Sequence, residues 1–350
     1  MKIAVIGCGT IANGQHIPAY MENKKAEIKY FCDIIPERAD NAVKKYGVGR
    51  AVYDYREILS DPELAAVSVC TPNKYHSTIS VDFLRAGKHV LCEKPAARTL
   101  DEALLMQQAC RETGKTLNIG VVNRFNAAVN DIKRRIDAGE LGNVYHVYIS
   151  FRDHRSIPGL GGAFTTHEIA GGGVLIDWGV HFLDLVMYCL GDPEPLTVSG
   201  QAYSILGSDM RGYVYKSMWA GPPDYNGTYD VDDFVTGFVR TSGPTFTLNG
   251  AWAQNIGERE MYIDFLGDKS GVRLQYGADF TVYSAKNGAL TEEKVSLPAS
   301  DMFRKEIDSF IDCIETGKTL PSHIDTVVIT AKIMQAIYDS SELRREIALA

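Results

Sequence analysis

The sequence predicts an α/β protein in which a doubly wound parallel sheet is followed by an α+β region with an open, mostly antiparallel sheet. The first third of the chain alternates short apolar runs with helical patterns, which is typical of a parallel sheet covered on both faces. Residues 195–296 instead alternate apolar and polar side chains between turn residues, as antiparallel strands do. A length of 350 residues suits two domains.

The first domain is expected at residues 1–122. Its predicted strands are the short apolar runs KIAVIG, EIKYFCD, AAVSVC, KHVLC and TLNIG. The segments ERADNAVKKYG, KYHSTISVDFLRAG and LDEALLMQQACRETG between them carry apolar residues at helical spacing. The last two helical segments end at Gly87 and Gly114, where a left-handed C-cap is expected.

The second domain is expected at residues 123–350. The helical segment NAAVNDIKRRIDAGELG precedes the strand NVYHVYISF and then the glycine-led apolar stretch GGGVLIDWGVHFLDL. The antiparallel strands follow, and helical patterns return in DMFRKEIDSFIDCIETG and DTVVITAKIMQAIYDSSELRREI. The placement of these last helices stays open, because they could pack back on the first domain.

Composition and charge exclude several classes of protein. Asp and Glu outnumber Lys and Arg by 44 to 36, and the net charge of −8 argues against a general binder of nucleic acid or anionic membranes. No uninterrupted apolar run reaches the roughly 18 residues of a membrane span, and MKIAVIGCG leaves no room for a signal peptide. The seven cysteines form no C-x-x-C pair and are typical of core residues in a reducing compartment. We therefore expect a cytoplasmic protein that acts on small molecules.

The loop AVIGCGTIA carries a dinucleotide-binding fingerprint. Gly7, Gly9 and Ala12 form G-x-G-x-x-A directly after a strand and before a helical stretch, which is the context that makes the motif informative. The first glycine permits a tight turn, and the second lets the backbone approach a pyrophosphate. The helix start at Thr10 and Ile11 then offers free N–H groups to the phosphates.

A carboxylate that suits the cofactor's ribose ends the second strand. Asp33 lies 21 residues after Ala12, close to the usual spacing of about 20. It would accept hydrogen bonds from ribose hydroxyls and repel a 2′-phosphate. Ile34 brings no cation and Arg38 is the nearest one, so the sequence favours NAD over NADP. The alternative is that Asp33 only caps the helix that begins near Pro36.

The sequence resembles the Gfo/Idh/MocA family of oxidoreductases over essentially its whole length. The motifs AVIGCGTIA, CTPNKYH, CEKP and GGGVLIDWGVHFLD carry this resemblance together. It implies an N-terminal NAD-binding Rossmann domain and a C-terminal domain with an open antiparallel sheet. The alternative for CTPNKYH is a plain turn and helix start. The further cofactor contacts implied by the resemblance are Thr71, Pro72, Asn73, His76, Glu93 and Lys94.

The resemblance also implies the catalytic residues. Lys94 would face both nicotinamide and substrate at the end of a parallel strand, where open α/β sheets bind ligands, and its bond to Pro95 is expected to be cis. Asp177 and His181, one helical turn apart, match the family's catalytic aspartate and histidine. An imidazole suits proton removal because its pKa lies near neutrality, while Asp177 would orient the hydroxyl. Asp184, further along, is expected to be structural.

Alternatives stay open for these residues. Asp177 and His181 could satisfy polar groups inside a core, and Lys94 could be a solvated surface lysine. Substrate contacts are also expected from the loop SFRDHRSIPGLGG, whose arginines could instead pair with neighbouring acidic groups or solvent. The predicted substrate-binding residues besides the catalytic three are Arg124, Arg152, His154, Arg155 and Trp178.

Together with these residues, the resemblance implies an NAD-dependent oxidoreductase that oxidises a secondary hydroxyl of a sugar, glycoside or cyclitol, or reduces the ketone. The alternative is a net hydrolase, lyase or isomerase that oxidises its substrate transiently and retains NAD. A nucleotide-sensing module without catalysis is disfavoured, because all three catalytic residues are present. No metal is expected, since Gly171 replaces the second histidine of an H-E-x-x-H motif at His167. The broad sheet favours a homo-oligomer, a dimer or a tetramer.

Overall fold

The computed structural model describes residues 1–277 and 279–349, over which the strands form one sheet of six and one of nine. The strands are β1 (Lys2–Ile6), β2 (Glu27–Cys32), β3 (Arg50–Val52), β4 (Leu64–Val69), β5 (His89–Glu93), β6 (Leu117–Gly120), β7 (Val144–Arg152), β8 (Pro195–Tyr203), β9 (Phe234–Thr241), β10 (Thr245–Ala251), β11 (Glu260–Gly267), β12 (Ser270–Gln275), β13 (Phe280–Lys286), β14 (Ala289–Val295) and β15 (Ile347–Ala348). The helices are α1 (Ile17–Glu22), α2 (Pro36–Tyr46), α3 (His76–Arg85), α4 (Leu100–Thr113), α5 (Ala127–Asp137), α6 (His167–Ala170), α7 (Val180–Leu190), α8 (Met302–Thr316) and α9 (Ile324–Leu343).

The chain divides into two compact units. The N-terminal unit comprises Met1–Phe125 and Asp301–Val328, and the C-terminal unit comprises Asn126–Ser300 and Ile329–Ala350. Helix α8 and the start of α9 therefore belong to the N-terminal unit, and α8 packs against α1 there.

The N-terminal unit is built on a parallel sheet with the strand order β3-β2-β1-β4-β5-β6. This is the order of a doubly wound dinucleotide-binding sheet, in which ligands bind outside the carboxyl ends of the strands. Ile3, Ala4 and Val5 of β1 are fully buried, as expected for a strand covered on both faces. The predicted Rossmann sheet is confirmed. Strand β3 had not been predicted, because three residues are too few to show a pattern.

The C-terminal unit is built on a sheet with the order β14-β13-β12-β11-β7-β10-β9-β8-β15. Its neighbouring strands are antiparallel except β7 and β10, which run parallel. This confirms the open, mostly antiparallel sheet. Val147, Ile149 and Phe151 of β7 are buried in the core, where Phe151 stacks on Phe182 of α7 with ring centroids 5.0 Å apart.

The segment His167–Leu190 is long and apolar enough to cross a membrane, but 72% of its most apolar window is buried inside the protein, as in a core helix. It is not one regular α-helix, which the spacing alone had suggested. Helix α6 ends at Ala170 with Gly171 as its C-cap, Leu175–Gly179 forms a π turn, and α7 begins only at Val180. Asp177 therefore lies in the π turn, a feature often found at functional sites.

Candidate active site

The fingerprint loop has the geometry that its glycines predict. Gly7 has a φ of +91°, and a Cβ atom there would lie 2.6 Å from the carbonyl oxygen of Cys70, so only glycine fits. A Cβ atom on Gly9 would meet nothing within 4 Å. The backbone at Gly9 thus faces open space beside the helix start at Thr10 and Ile11. This arrangement fits the close approach of a pyrophosphate to a helix N-terminus.

Asn13 supports this loop and had not been identified from the sequence. It lies in the π turn Ala12–His16 that precedes α1. Its side-chain Nδ2 donates to the carbonyl oxygens of Cys8 at 2.7 Å and Gly9 at 3.2 Å. The helix thereby holds the two residues at the centre of the fingerprint in one conformation.

Asp33 is 7% exposed and is tied to the same loop. Its Oδ2 accepts from the N–H of Cys8 at 2.8 Å, and its Oδ1 accepts from the N–H of Ile35 at 2.9 Å. The contact with Ile35 shows that Asp33 also shapes the turn into α2, but the side chain does not cap that helix. A carboxylate keeps further lone pairs for ribose hydroxyls. Ile34 beside it is 80% exposed, and Arg38 is exposed.

The loops that follow β4 and β5 are joined by His76, which is 1% exposed. Its Nδ1 lies 2.8 Å from the carbonyl oxygen of Pro95, and its Nε2 lies 2.8 Å from that of Thr71. The Lys94–Pro95 bond is cis, as expected. Burial lowers the pKa of His76, although both carbonyl contacts oppose this shift. His76 therefore braces the two loops from inside, and its contact with the cofactor stays a prediction.

A buried hydroxyl at the same end of the sheet supports a ligand site. Thr71 lies two residues after the end of β4, and its Oγ1 atom is buried without a hydrogen-bond partner among the described residues. Buried polar atoms are rarely left unpaired in proteins. Together with the open backbone at Gly9, this atom fits a dinucleotide. Pro72 is exposed and Asn73 is half-buried next to it.

Lys94 is held by a buried chain of polar side chains. Its own side chain is half-buried, and its N–H donates to Oε2 of Glu93 at 3.0 Å. Oε1 of Glu93 lies 2.8 Å from Nε2 of His16, and the other ring nitrogen lies 3.4 Å from Ser68 Oγ. The hydroxyls of Ser68 and Tyr20 are 2.7 Å apart. Glu93 and His16 therefore fix the main chain at Lys94.

In the C-terminal unit, the predicted polar stripe places a half-buried histidine between two buried aspartates. His181 is half-buried on the first turn of α7, whereas Asp184 is 1% exposed, in agreement with a structural role. Asp177 is 9% exposed, and its Oδ2 accepts from Nε1 of Trp252 at 3.3 Å. Trp252 follows β10 and is fully buried. The carboxylate of Asp177 is thus held in place one helical turn before the half-buried imidazole of His181.

Asp232 is a further residue that sequence reasoning missed. Its carboxylate accepts from the N–H groups of Gly173 at 2.7 Å and Leu175 at 3.0 Å, at the start of the helical stretch that carries Asp177. Its carbonyl oxygen accepts from the N–H of Val174 at 3.0 Å. One residue thereby satisfies three successive N–H groups of the helix start.

The predicted substrate loop is held within its own unit. Arg152 forms an ion pair with Glu260, and its Nε is buried without a partner among the described residues. Arg155 donates to the carbonyl oxygen of Gln254 at 2.8 Å and to Oδ1 of Asn255 at 2.6 Å. The ring of His154 also lies 2.8 Å from the Gln254 carbonyl oxygen. Contacts between this loop and a substrate stay a prediction.

The last two predicted substrate residues have defined neighbours. Arg124 is 3% exposed and donates to the carbonyl oxygen of Pro321 at 2.6 Å and to Oγ1 of Thr326 at 3.0 Å, within the N-terminal unit. The guanidinium of Arg259 lies 6.0 Å from the ring of Trp178. In the described part of the chain, no group of three His, Cys, Asp or Glu side chains is arranged to hold a metal ion.

Several known proteins resemble this chain in sequence over most of its length. D-glucoside 3-dehydrogenase of Escherichia coli K12 is 29% identical over all of this chain and 97% of its own length. scyllo-Inositol 2-dehydrogenase (NAD(+)) of Bacillus subtilis is 28% identical over 94% of this chain and 90% of its own length. 1,5-Anhydro-D-fructose reductase of Ensifer adhaerens is 34% identical over 73% of this chain and 75% of its own length.

A solved structure and two family models agree with the fold. Levoglucosan dehydrogenase in complex with NADH and levoglucosan superposes with a TM-score of 0.84 at 20% identity, covering 100% of this chain and 99% of that one. Residues 1–121 match the oxidoreductase family with an NAD-binding Rossmann fold, and residues 129–273 match the GFO/IDH/MocA C-terminal domain. The protein therefore belongs to the Gfo/Idh/MocA family of oxidoreductases and binds its dinucleotide on the N-terminal Rossmann sheet.

Proposed function

We propose that the protein oxidises a secondary hydroxyl of a sugar, glycoside or cyclitol with NAD⁺, or reduces the corresponding ketone with NADH. The observation that carries the proposal is the placement of Asp177 and His181. A buried carboxylate, fixed by Trp252 at 3.3 Å, precedes a half-buried imidazole by one turn. This pair suits the binding and deprotonation of an alcohol. The substrate class is taken from the names of the relatives, because each relative is named after a carbohydrate or a cyclitol.

In the proposed reaction, His181 removes the proton of the substrate hydroxyl while Asp177 binds that hydroxyl and orients it. Lys94 stabilises the negative charge that develops on the oxygen. When bound, NAD⁺ would accept the hydride that leaves the carbon bearing this hydroxyl, so that the alcohol becomes a ketone. A positioned general base typically contributes about 10² to 10⁴ in rate. The contacts of Glu93 with His16 and with the Lys94 main chain support this role, because they fix the backbone that carries the lysine.

We propose NAD rather than NADP as the cofactor. Asp33 ends β2 with a carboxylate anchored to Cys8 and Ile35, which would repel a 2′-phosphate. The neighbouring Ile34 is 80% exposed and carries no charge.

We also propose that the protein is cytoplasmic and forms a homo-oligomer. The described cysteines are all free and buried, in keeping with a reducing compartment. One face of the C-terminal sheet carries a shallow depression lined by Tyr148, Gln201 and Phe238, and Tyr148 is 49% exposed. Self-association would cover this face. The substitution Tyr148→Lys should then reduce the molar mass measured by light scattering, whereas an unchanged mass would exclude this face.

The substrate class is tested by adding NAD⁺ with methyl β-D-glucoside, scyllo-inositol, myo-inositol or levoglucosan, and NADH with 1,5-anhydro-D-fructose. The absorbance of NADH is recorded. We expect stoichiometric formation of NADH from at least one of the alcohols. Conversion of a sugar without release of NADH would favour the alternative of a net hydrolase, lyase or isomerase that retains NAD. No conversion of any compound would contradict the substrate class.

A further inference from the structure

The start of the helical stretch that carries Asp177 is enclosed by a ring of contacts. Asp232 binds the N–H groups of Gly173, Val174 and Leu175, only two residues before Asp177. The adjacent Asp233 accepts, through its carbonyl oxygen, the main-chain N–H of Trp252 at 2.9 Å. The indole of Trp252 then reaches back to the carboxylate of Asp177. The Asp232–Asp233 dipeptide therefore holds both the main chain before Asp177 and the donor to its side chain.

Helix α9 adds a second support to this ring. The hydroxyl of Tyr338 donates to Oδ1 of Asp232 at 2.7 Å. A Cβ atom on Gly172 would lie 2.1 Å from this hydroxyl oxygen, and a Cβ atom on Gly173 would lie 1.9 Å from the carbonyl oxygen of Asp232. The glycines that lead into the π turn are therefore required by the approach of Asp232 and Tyr338.

The ring contains more hydrogen bonds than are needed to cap a helix. A serine or asparagine can cap a helix at little desolvation cost. Asp232 is instead a carboxylate that is only 6% exposed. Burial raises its pKa, although its hydrogen bonds act to lower it. Burying a carboxylate is expensive unless several donors satisfy it. Such a network holds the residues that it joins in a single conformation. This matters at an active site, because catalytic groups must be held to within about 0.5 Å of their productive positions.

We propose that Asp232, Tyr338 and Trp252 are positioning residues, which align the Asp177 carboxylate and the start of α7 for reaction with the substrate. They act through Asp177 and touch no substrate atom in this proposal. The inference rests on the proposed function, in which Asp177 and His181 handle the substrate hydroxyl.

The test compares two half-buried tyrosines of the C-terminal unit. Tyr338→Phe removes the hydroxyl that donates a hydrogen bond to Asp232. Tyr229→Phe, the control, removes a buried hydroxyl that has no hydrogen-bond partner among the described residues. Trp252→Phe removes the donor to Asp177 and keeps an aromatic ring. Each variant is compared with the wild type for kcat, for KM of the most active alcohol of the panel above, for Kd of NAD⁺ by calorimetry, and for Tm.

We expect Tyr338→Phe and Trp252→Phe to lower kcat about tenfold, because displacements of order 1 Å can cost up to about 10² in rate. KM and the Kd of NAD⁺ should stay near their wild-type values. The deuterium isotope effect on kcat should rise, since the chemical step becomes slower. Tyr229→Phe should match the wild type in all of these measurements.

Two different results distinguish a failure of the inference from a failure of the proposed function. If Tyr338→Phe and Trp252→Phe lower Tm but keep the wild-type kcat and isotope effect, the network only stabilises the fold and the inference is wrong. If the wild type oxidises none of the alcohols, or if His181→Ala is as active as the wild type, the proposed function fails and the inference fails with it.

Discussion

Nε2 of His16 lies 2.8 Å from Oε1 of Glu93, and the two side chains are 0% and 8% exposed. Burial opposes ionisation of the Glu93 carboxyl, but its contact with His16 holds its pKa below the usual value. The other oxygen of Glu93 accepts from the N–H of Lys94. The helix that follows the fingerprint loop is thereby coupled to the residue that we propose faces the substrate.

Loss of the imidazole should destabilise the protein strongly. His16→Phe leaves the Glu93 carboxylate buried without its partner, which typically costs about 3 to 5 kcal/mol. We expect a fall of this size in the free energy of unfolding, measured with urea at neutral pH. The control is His167→Phe at an exposed position, which should change stability by less than about 0.5 kcal/mol. Equal effects of the two substitutions would show that the contact between His16 and Glu93 does not contribute this stability.

The same pair makes a pH-dependent contribution to stability. The pKa of Glu93 is lower in the folded protein than its unfolded value near 4.5, so its ionised form stabilises the fold above that pH. This stabilisation should disappear as the pH falls below about 4.5. Wild type should therefore exceed Glu93→Gln in stability at neutral pH, and the difference should shrink in acid. A difference that grew on acidification would show that the assigned direction is wrong.

Two glycines of the fingerprint loop should respond differently to alanine. Gly7→Ala places a Cβ atom 2.6 Å from the Cys70 carbonyl oxygen at a φ of +91°, and such strain costs about 1 to 3 kcal/mol or more. Gly9→Ala meets no protein atom within 4 Å, so it should fold normally and lose most of its affinity for NAD⁺. Urea unfolding and calorimetry measure the two effects. Normal NAD⁺ binding by Gly9→Ala would place the pyrophosphate elsewhere.

The preference for NAD is expected to depend on Asp33 and its exposed neighbour. The wild type should bind NAD⁺ more tightly than NADP⁺ in titration calorimetry. Ile34→Arg adds a cation beside the ribose at a position that is 80% exposed, and it should tighten NADP⁺ binding about tenfold, worth about 1.4 kcal/mol. Tighter binding of NADP⁺ by the wild type would overturn the assignment of NAD.

The parts of the structure that could be predicted from the sequence have local signals. The turn at Gly7 and the capping glycine Gly114 lie directly beside the strand or helix that they end. The sequence predicts a helix for the stretch that carries Asp177, but its spacing fits both an α-helix and the observed π turn. Pattern reasoning therefore could not specify the hydrogen bonding there.

The supporting contacts of the site could not be predicted, because they join residues that are distant in sequence. Asp232 binds the N–H of Leu175 across 57 residues, and His16 meets Glu93 across 77 residues. Aspartates are mostly exposed in proteins, so the sequence does not mark Asp232 and Asp233 as buried. Its role becomes visible only when the sheet places it beside the helix start.

In the proposed reaction His181 takes the proton of the substrate hydroxyl and is not a residue needed only for folding. The most direct test is the rate of NADH formation by His181→Ala on an alcohol that the wild type oxidises, in a sample shown by calorimetry to bind NAD⁺ normally. We expect this rate to fall by about 10² or more. A rate close to the wild-type value, with NAD⁺ bound, would contradict it.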